Sequence, residues 1–391
     1  MKIGVYNLTK IIIIALLIDT MFTPISIYLG NATSVQSIYS FFKFPQILIF
    51  LSTFFISLAT ISRGFTLYEI VFLIFGIVGF AKGIYLENFN RFFISHIYSF
   101  LIAICGMRAG RFLDFKYFLS FFKKYYKPLI AYLTGFSIIY FLSLSLGLID
   151  YWGISTNLGY IFIILYGLNF DGKLITIFSI ILTGKRTPLL ASIITLFVYS
   201  INRLKNLFSI LIGFSGVLFI AFRLGLLERF VNPLKAYDIE LSADFFSNSN
   251  AWDFILYAFT GGRIFEVKYL LIKFNDFYDW IFGLGFGSFF EMPLGIFVQD
   301  ETYIQHYTHN SFFSLTMLYG FIIPIIIFAL YLFGIVRLLI KKESFEDSKV
   351  ILLLSIYILL TSLAGPLVNT DCKFWIVLGI LYQYLWKPRL K

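Results

Sequence analysis

The sequence predicts an all-α, polytopic membrane protein. Three observations predict it. Hydrophobic residues make up 59% of the 391 positions and charged residues 13%, where a soluble domain usually carries about 25% charged residues. Apolar runs of membrane-crossing length recur along the whole chain. Lysine and arginine gather between alternate runs.

Fifty phenylalanines, with Leu and Ile dominating the rest, present more apolar surface than a soluble core could hide. The net charge of +10 would suggest nucleic acid in a soluble protein. Here the basic residues sit at the ends of apolar runs, where membrane orientation accounts for them and no nucleic-acid partner is expected. Cys105 and Cys372 suggest neither a disulfide framework nor a metal site.

Lys2 and Lys10 precede the run Ile11 to Ile18 as in a signal peptide. No small-x-small cleavage site follows, so 11–29 is expected as a retained first span. A span needs about 20 apolar residues, fewer where neighbours and local thinning help. Further spans are expected at 44–62, 66–84, 92–110 and 128–149. Two short runs follow, 158–170 and 173–183, broken at Asp171-Gly172, and then 187–201 and 207–222. After the mixed stretch 223–308 come 309–336, 350–368 and 374–386. The expectation is one integral membrane domain, 1–391, with twelve spans and a large loop, 223–308, between the ninth and tenth.

The positive charges test this count, because cytoplasmic loops attract Lys and Arg. With the N-terminus inside, nineteen of the 31 basic residues fall inside, among them Arg108, Arg111, Lys116, Lys123, Lys124 and Lys127. Six of the other twelve lie in the long loop, where the rule is weak. Merging 158–183 into one helix would move Arg337 to Lys349 and the C-terminal Lys387, Arg389 and Lys391 outside. The distribution therefore favours twelve spans with both termini in the cytoplasm.

This topology puts three unusual features on the outer side. The first is the turn Gly184-Lys185-Arg186-Thr187-Pro188. The second is Arg263 after Gly261-Gly262. The third is His309-Asn310, where the long loop re-enters the membrane. Lys185 and Arg186 could be a snorkelling pair, but short outer loops disfavour such pairs. On spacing alone Arg263 reads best as an ion pair with Glu266 at i+3. His309 could be an interfacial ring, and His306 three residues earlier could share a metal with it on a helix. No HExxH accompanies the pair and no acidic ligand has matching spacing, so no metal is assigned and no cofactor is expected.

Gly283-Leu284-Gly285-Phe286-Gly287-Ser288 is not a dinucleotide fingerprint, since no strand–helix unit surrounds it. Phe289 stands where a nucleophile elbow would want Gly. The glycines read as a tight irregular turn near the outer surface. Asp19, Glu69 and His96 lie within spans, where ionisable groups are functional candidates by default. Asp19 and Glu69 could instead partner backbone or tyrosine hydroxyls, and neither is given a role.

The arrangement of these features resembles a family. Leu182-Thr183-Gly184-Lys185-Arg186-Thr187-Pro188 looks like its small-Lys/Arg-Thr turn. Gly262-Arg263-Ile264 followed by Gly283-Leu284-Gly285-Phe286-Gly287-Ser288 looks like its Arg-helix-GxGxGS stretch. His309-Asn310-Ser311-Phe312-Phe313-Ser314-Leu315 before Gly320 looks like its His-Asn-Ser segment. Together, over about residues 182–335, they resemble the O-antigen polymerase and O-antigen ligase families of bacterial envelope glycan assembly.

The resemblance implies a GT-C-like glycosyltransferase of the bacterial inner membrane with a large periplasmic loop. Its donor would be a glycan on undecaprenyl diphosphate, its acceptor another glycan, and a chain-length regulator protein could be a partner. By position, Arg186, Arg263 and His309 become the catalytic candidates, with Lys185 and Asn310 as substrate-binding candidates. Acceptor recognition stays unassigned.

The chemistry fits these residue types. The outer compartment lacks nucleotide sugars, so the substrate must arrive activated. A diphosphate leaving group needs charge stabilisation more than a proton, and arginine supplies a permanent charge on a planar fork, which could stand in for a metal. The acceptor hydroxyl needs a base. A histidine with an ordinary pKa of about 6.5 is available as one, for roughly 10²–10⁴ in rate. In-line displacement would invert the anomeric carbon. The overall look favours a polymerase, with a ligase as the alternative. A lipid-linked glycan flippase is a third reading, but transporters usually show internal repeats and midplane groups at broken helices. No repeat is visible here.

Overall fold

A computed structural model of the chain describes residues 5–33, 44–148, 157–183, 186–200, 215–216, 263–293, 302–341, 346–365 and 371–386. Within them the chain is helical almost throughout. The helices are α1 (Val5–Thr33), α2 (Phe44–Ala59), α3 (Leu67–Tyr85), α4 (Arg91–Phe112), α5 (Phe115–Ser145), α6 (Leu158–Gly167), α7 (Lys173–Leu182) and α8 (Arg186–Ser200). After these come α9 (Arg263–Leu271), α10 (Phe277–Phe282), α11 (Ser311–Tyr319), α12 (Ile322–Lys341), α13 (Glu346–Leu363) and α14 (Cys372–Trp386). Strands β1 (Phe290–Pro293) and β2 (Thr302–Gln305) form one antiparallel pair, with Phe290 opposite Gln305. This small sheet is a departure from the all-helical expectation.

Five helices are long and apolar enough to cross a membrane: Asn7–Ile25, Leu67–Tyr85, Arg91–Phe112, Phe115–Ser145 and Ile322–Ile340. Shorter apolar helices accompany them at Gln46–Ala59, Leu158–Gly167, Lys173–Leu182 and Thr187–Ser200. The run expected at 207–222 and most of the loop expected over 223–308 lie outside the described residues.

Three local boundaries differ from expectation, each for a physical reason. The basic stretch before residue 128 is helix, not loop. Asp114 caps α5 by accepting from the Tyr117 amide at 3.1 Å. Phe115, Leu119 and Phe122 then repeat at helical spacing and are buried, leaving Lys116, Lys123 and Lys124 off the packed face.

The apolar run 309–336 is not one helix. Gly320 takes φ +75°, ending α11, and the Phe321 amide donates to the Trp280 carbonyl at 2.8 Å. A side chain at Gly320 would collide with the backbone of Ile281, so only glycine allows the crossing. The third difference is Cys372, expected in a loop, which is buried at the start of α14. The break expected at Asp171-Gly172 is present, with Gly172 at φ +90° between α6 and α7.

Polar contacts gather near two ends of the bundle, and a third group, Asp19, Asn157, Asp371 and Lys373, lies between them, where the adjacent Cys372 faces the Ile102 carbonyl midway along α4. At one end Arg111 meets Glu69 at 2.7 Å, Lys123 meets Glu346 at 2.5 Å and the Tyr384 hydroxyl donates to Asp347 at 2.6 Å. Glu69 also accepts from the Thr66 amide at 2.7 Å, closing a capping box at the start of α3. It is therefore an end group with arginine partners, not a mid-span one. At the other end Lys82 meets Asp279 at 2.6 Å and Asn90 donates to the Gly287 carbonyl at 2.8 Å. From Asn90 to Arg111 the rise of α4 separates the two ends by about 30 Å. Between them Phe72, Trp375 and Tyr319 pack ring on ring, with centroids 5.3 and 5.0 Å from Phe72.

Candidate functional site

The short helix α9 carries one buried carboxylate. Glu266 and Leu270 share a face at i, i+4 and both are buried. Leu270 belongs to the core that also takes Phe274 and Phe290, which seats the helix and aims Glu266 at the start of α11.

Glu266 grips His309 twice. One carboxylate oxygen accepts from the His309 amide and the other faces the ring Nδ1, both at 2.6 Å. A carboxylate can only accept, so Nδ1 carries a proton and Nε2 carries none when the ring is neutral. The Glu266 side chain is 4% exposed and that of His309 40%, so the imidazole is held from inside and open from outside. Contacts of this length are charge-assisted.

The backbone around His309 is locked on both sides. Before it, the Thr308 amide donates to Ser314 Oγ at 3.1 Å and Ser314 Oγ donates to the Thr308 carbonyl at 2.8 Å. After it, Asn310 caps α11 by accepting from the Phe312 and Phe313 amides at 2.9 and 3.4 Å. The Asn310 amide nitrogen donates to the Leu363 carbonyl at 3.0 Å and Ser311 Oγ to the Gly365 carbonyl at 2.7 Å. Both tie α11 to the end of α13. Asn310 thus has its side-chain amide committed to the fold while standing beside His309.

Arg263 lies one turn before Glu266 on the same helix. The ion pair expected between them is corrected: the carboxylate goes to His309, 43 residues on, and not to its i−3 neighbour. Among the described residues the half-buried Arg263 guanidinium has no hydrogen-bond or ion-pair partner. Burial lowers its pKa from the ordinary arginine value and the Glu266 charge pushes it back up, so the two groups feel each other without touching.

The glycine-rich stretch is an irregular turn, as expected, with Gly283, Gly285 and Gly287 at positive φ, and it is largely buried. The Leu284 amide donates to the Met317 carbonyl at 2.7 Å and the Phe286 amide to the Gly79 carbonyl at 2.9 Å. The segment is therefore wedged between α3 and α11. Gly287, at φ +82°, sits so close to the Asn88 carbonyl that any side chain would collide with it. Ser288 Oγ donates to the Gly285 carbonyl at 2.7 Å. Two segments that the resemblance rests on, 283–288 and 309–320, thus pack against each other.

His96 receives a role that the sequence left open. Its Nδ1 accepts from the Gly287 amide at 2.9 Å, and Nε2 lies 3.0 Å from the His306 carbonyl. With Nδ1 accepting, Nε2 is the protonated donor, and the ring latches the glycine stretch to the segment leading to His309. His306 stacks on Phe92 at 4.4 Å. Burial lowers its pKa, and the Arg91 charge lowers it further. Residues 306–309 are not helical, so the i+3 face on which His306 and His309 could have shared a metal does not form.

Arg186 opens α8, which packs against α13, the helix whose end holds Asn310. Its side chain and Lys185 lie outside the described residues. The structure therefore places Arg263 and His309 beside Glu266, while the Asn310 side chain turns to α11 and the end of α13. Glu266 is the residue that sequence reasoning missed, because its partner is remote and its neighbour Arg263 offered a nearer explanation. No family model, curated protein or solved structure matches the chain.

Proposed function

We propose that the chain is a glycosyltransferase of bacterial envelope glycan assembly: an O-antigen or capsular repeat-unit polymerase of the inner membrane. It moves a glycan from undecaprenyl diphosphate to another lipid-linked repeat at the periplasmic face. The fold in this reading has twelve spans, both termini in the cytoplasm and the His309 end outside.

The observation that carries the reading is the double hold of Glu266 on His309 beside Arg263, which has no partner among the described residues. Nδ1–H points into the carboxylate, so Nε2 is the open basic atom. An acceptor hydroxyl attacks the anomeric carbon while its proton passes to Nε2. The bond from that carbon to the diphosphate oxygen breaks, and the diphosphate leaves with the electron pair. Arg263, joined by Arg186 through the resemblance, meets the charge that develops there. Glu266 stabilises the imidazolium that forms, as the acid of a Ser-His-Asp triad does. No step calls for a metal or a nucleotide. Base catalysis of this kind contributes roughly 10²–10⁴ in rate.

The test is deletion followed by gel analysis of surface polysaccharide, with complementation by wild type and by His309→Ala. Loss of a polymerase leaves a single repeat on the final acceptor. Loss of a ligase leaves none, and would assign the alternative transfer to lipid A–core. Normal chain lengths from a stably inserted His309→Ala protein would end the enzymatic assignment.

A further inference from the structure

The short helix α9 exposes the side that Glu266 does not use. Glu266, Leu270 and Phe274 follow one another at i, i+4 and i+8, and all three are buried. Ile264, Lys268 and Ile272 follow at the same spacing on the opposite side, and all three are exposed. The Ile272 amide still donates to the Lys268 carbonyl, at 3.2 Å, so the helical spacing holds to that point. After the turn, α10 adds Phe277, Tyr278 and Trp280. With Ile264 and Ile272 these apolar side chains are 41–72% exposed. An apolar surface of this kind marks an interaction site.

The depth of this helix pair follows from α3. That helix is capped at Thr66 and its 19 residues rise about 28 Å, close to the ~30 Å of a hydrocarbon core. Lys82, one turn before its end, holds α10 through Asp279 and the Gly283 carbonyl, both at 2.6 Å. α10 therefore stands at the edge of the core and not far out in water. Along α3, Ile70, Ile74, Ile77 and Ile84 make one exposed stripe, as on the lipid-facing side of a span. Tyr85, 84% exposed, stands between that stripe and Lys82 around the helix. The apolar surface thus continues from the span onto the pair. The headgroup layer favours aromatic rings and lysines together, and Lys268 and Lys273 are both exposed here. Their stems can lie along apolar surface while the ammonium reaches phosphate.

We propose that α9 and α10 form an interfacial anchor whose partner is the bilayer itself. Ile264, Ile272, Phe277 and Trp280 lie in the headgroup layer at the His309 end. Lys268 and Lys273 reach lipid phosphates, and the Tyr278 hydroxyl stays in water. Glu266 faces away from the lipid on the other side of α9, within about one helix diameter, ~10 Å, of the headgroups. The anchor fixes the height of the Glu266–His309 contact relative to the lipid. It does not depend on glycosyl transfer.

The experiment uses the full chain in phospholipid nanodiscs, with a nitroxide on Ile272→Cys and, separately, on Phe277→Cys; both native cysteines are buried. Power-saturation spectroscopy compares collisions with oxygen, which concentrates in lipid, and with a water-soluble nickel chelate. A label on Ile77→Cys, in the lipid-facing stripe, gives the value for the core. Both test labels should favour oxygen and report a depth of about 5–10 Å into the headgroup–acyl boundary, shallower than the Ile77 position. Ile272→Glu should raise nickel collisions at the Phe277 label severalfold, and Ile272→Leu should leave them unchanged. Water-like nickel access at both labels in the wild-type background would overturn the proposal. So would labels that neither reagent reaches, which would give the surface to another part of the chain or to a second copy. An Ile272→Glu variant with unchanged depth would show that these side chains do not anchor the pair. No glycan enters the readout, so the anchor and the transferase reading fail separately.

Discussion

Replacing Glu266 by glutamine changes one oxygen for an NH₂ and leaves the volume almost untouched. The consequence follows from the two 2.6 Å contacts to His309. The single remaining oxygen can serve either the amide N–H or the ring Nδ1. If it serves the amide, the new NH₂ faces Nδ1 and donates to it. The ring proton then moves to Nε2, where the base must be empty. If the oxygen serves Nδ1 instead, the NH₂ opposes the His309 amide, donor against donor. Either arrangement removes the orientation or the tautomer, so the loss should approach the whole base contribution of about 10²–10⁴ in rate. Folding should suffer less than in Glu266→Ala, which strips the amide and ring of both partners, at about 1.5–3 kcal/mol for each bond to a charged group. The assay is complementation of a deletion strain at low expression, with chain length read on gels and protein level by immunoblot. Wild-type chain lengths from Glu266→Gln at matched level would refute the argument, because no positioning role would then be left for the carboxylate.

Other outcomes follow from the same geometry. Arg263→Lys keeps the charge and loses the planar fork, so it should lose most activity; a fully active lysine variant would exclude a bidentate grip on phosphate. Gly287→Ala forces a left-handed residue into the Asn88 carbonyl and should cost about 1–3 kcal/mol, read as a lower thermal midpoint with the His96 latch disturbed. Burial and Arg91 hold His306 below its ordinary pKa, so the unfolded chain binds that proton more tightly. Stability should therefore fall as pH drops from 7 through about 6.5, and His306→Phe, which keeps the stack on Phe92, should lose less between pH 7 and 5. Cysteine at the exposed Tyr278 should react with an impermeant reagent added outside cells, and cysteine at Lys124 should not, against a background of two buried native cysteines; labelling of the Lys124 position would invert the topology.

The membrane class was legible because composition is a property of the whole chain and needs no contacts. The re-entry at His309-Asn310 was legible, because the polar stretch gives way there to an apolar run, although the cap that Asn310 makes was not read. The kink at Asp171-Gly172 announced itself through its glycine. Gly320 did not, because the run around it is apolar on both sides and nothing local shows that Trp280 and Ile281 will cross there. The start of α5 was hidden by its lysines, which read as loop until Phe115, Leu119 and Phe122 are seen on one buried face. Glu266 was misread for a different reason. Helical spacing makes i, i+3 pairs visible, while a bond to a residue 43 positions away leaves no trace in a single sequence. His96 is the same case, with its partners at Gly287 and His306.

The dyad has a further property, set by where its halves are mounted. His309 stands on α11, pinned through Asn310 and Ser311 to the end of α13, while Glu266 rides on α9, within the stretch between α8 and α11. Both bonds between them therefore span a joint, and they add to the burial of Leu270 and the hold on the glycine stretch in seating α9 on the bundle. In the proposed reading, substitutions elsewhere in the stretch reshape what it recognises and leave His309 in place, so long as these contacts are kept. Weakening the seat would unmake base and recognition together, and hydrogen exchange at the His309 amide, which donates across the joint, would register it first.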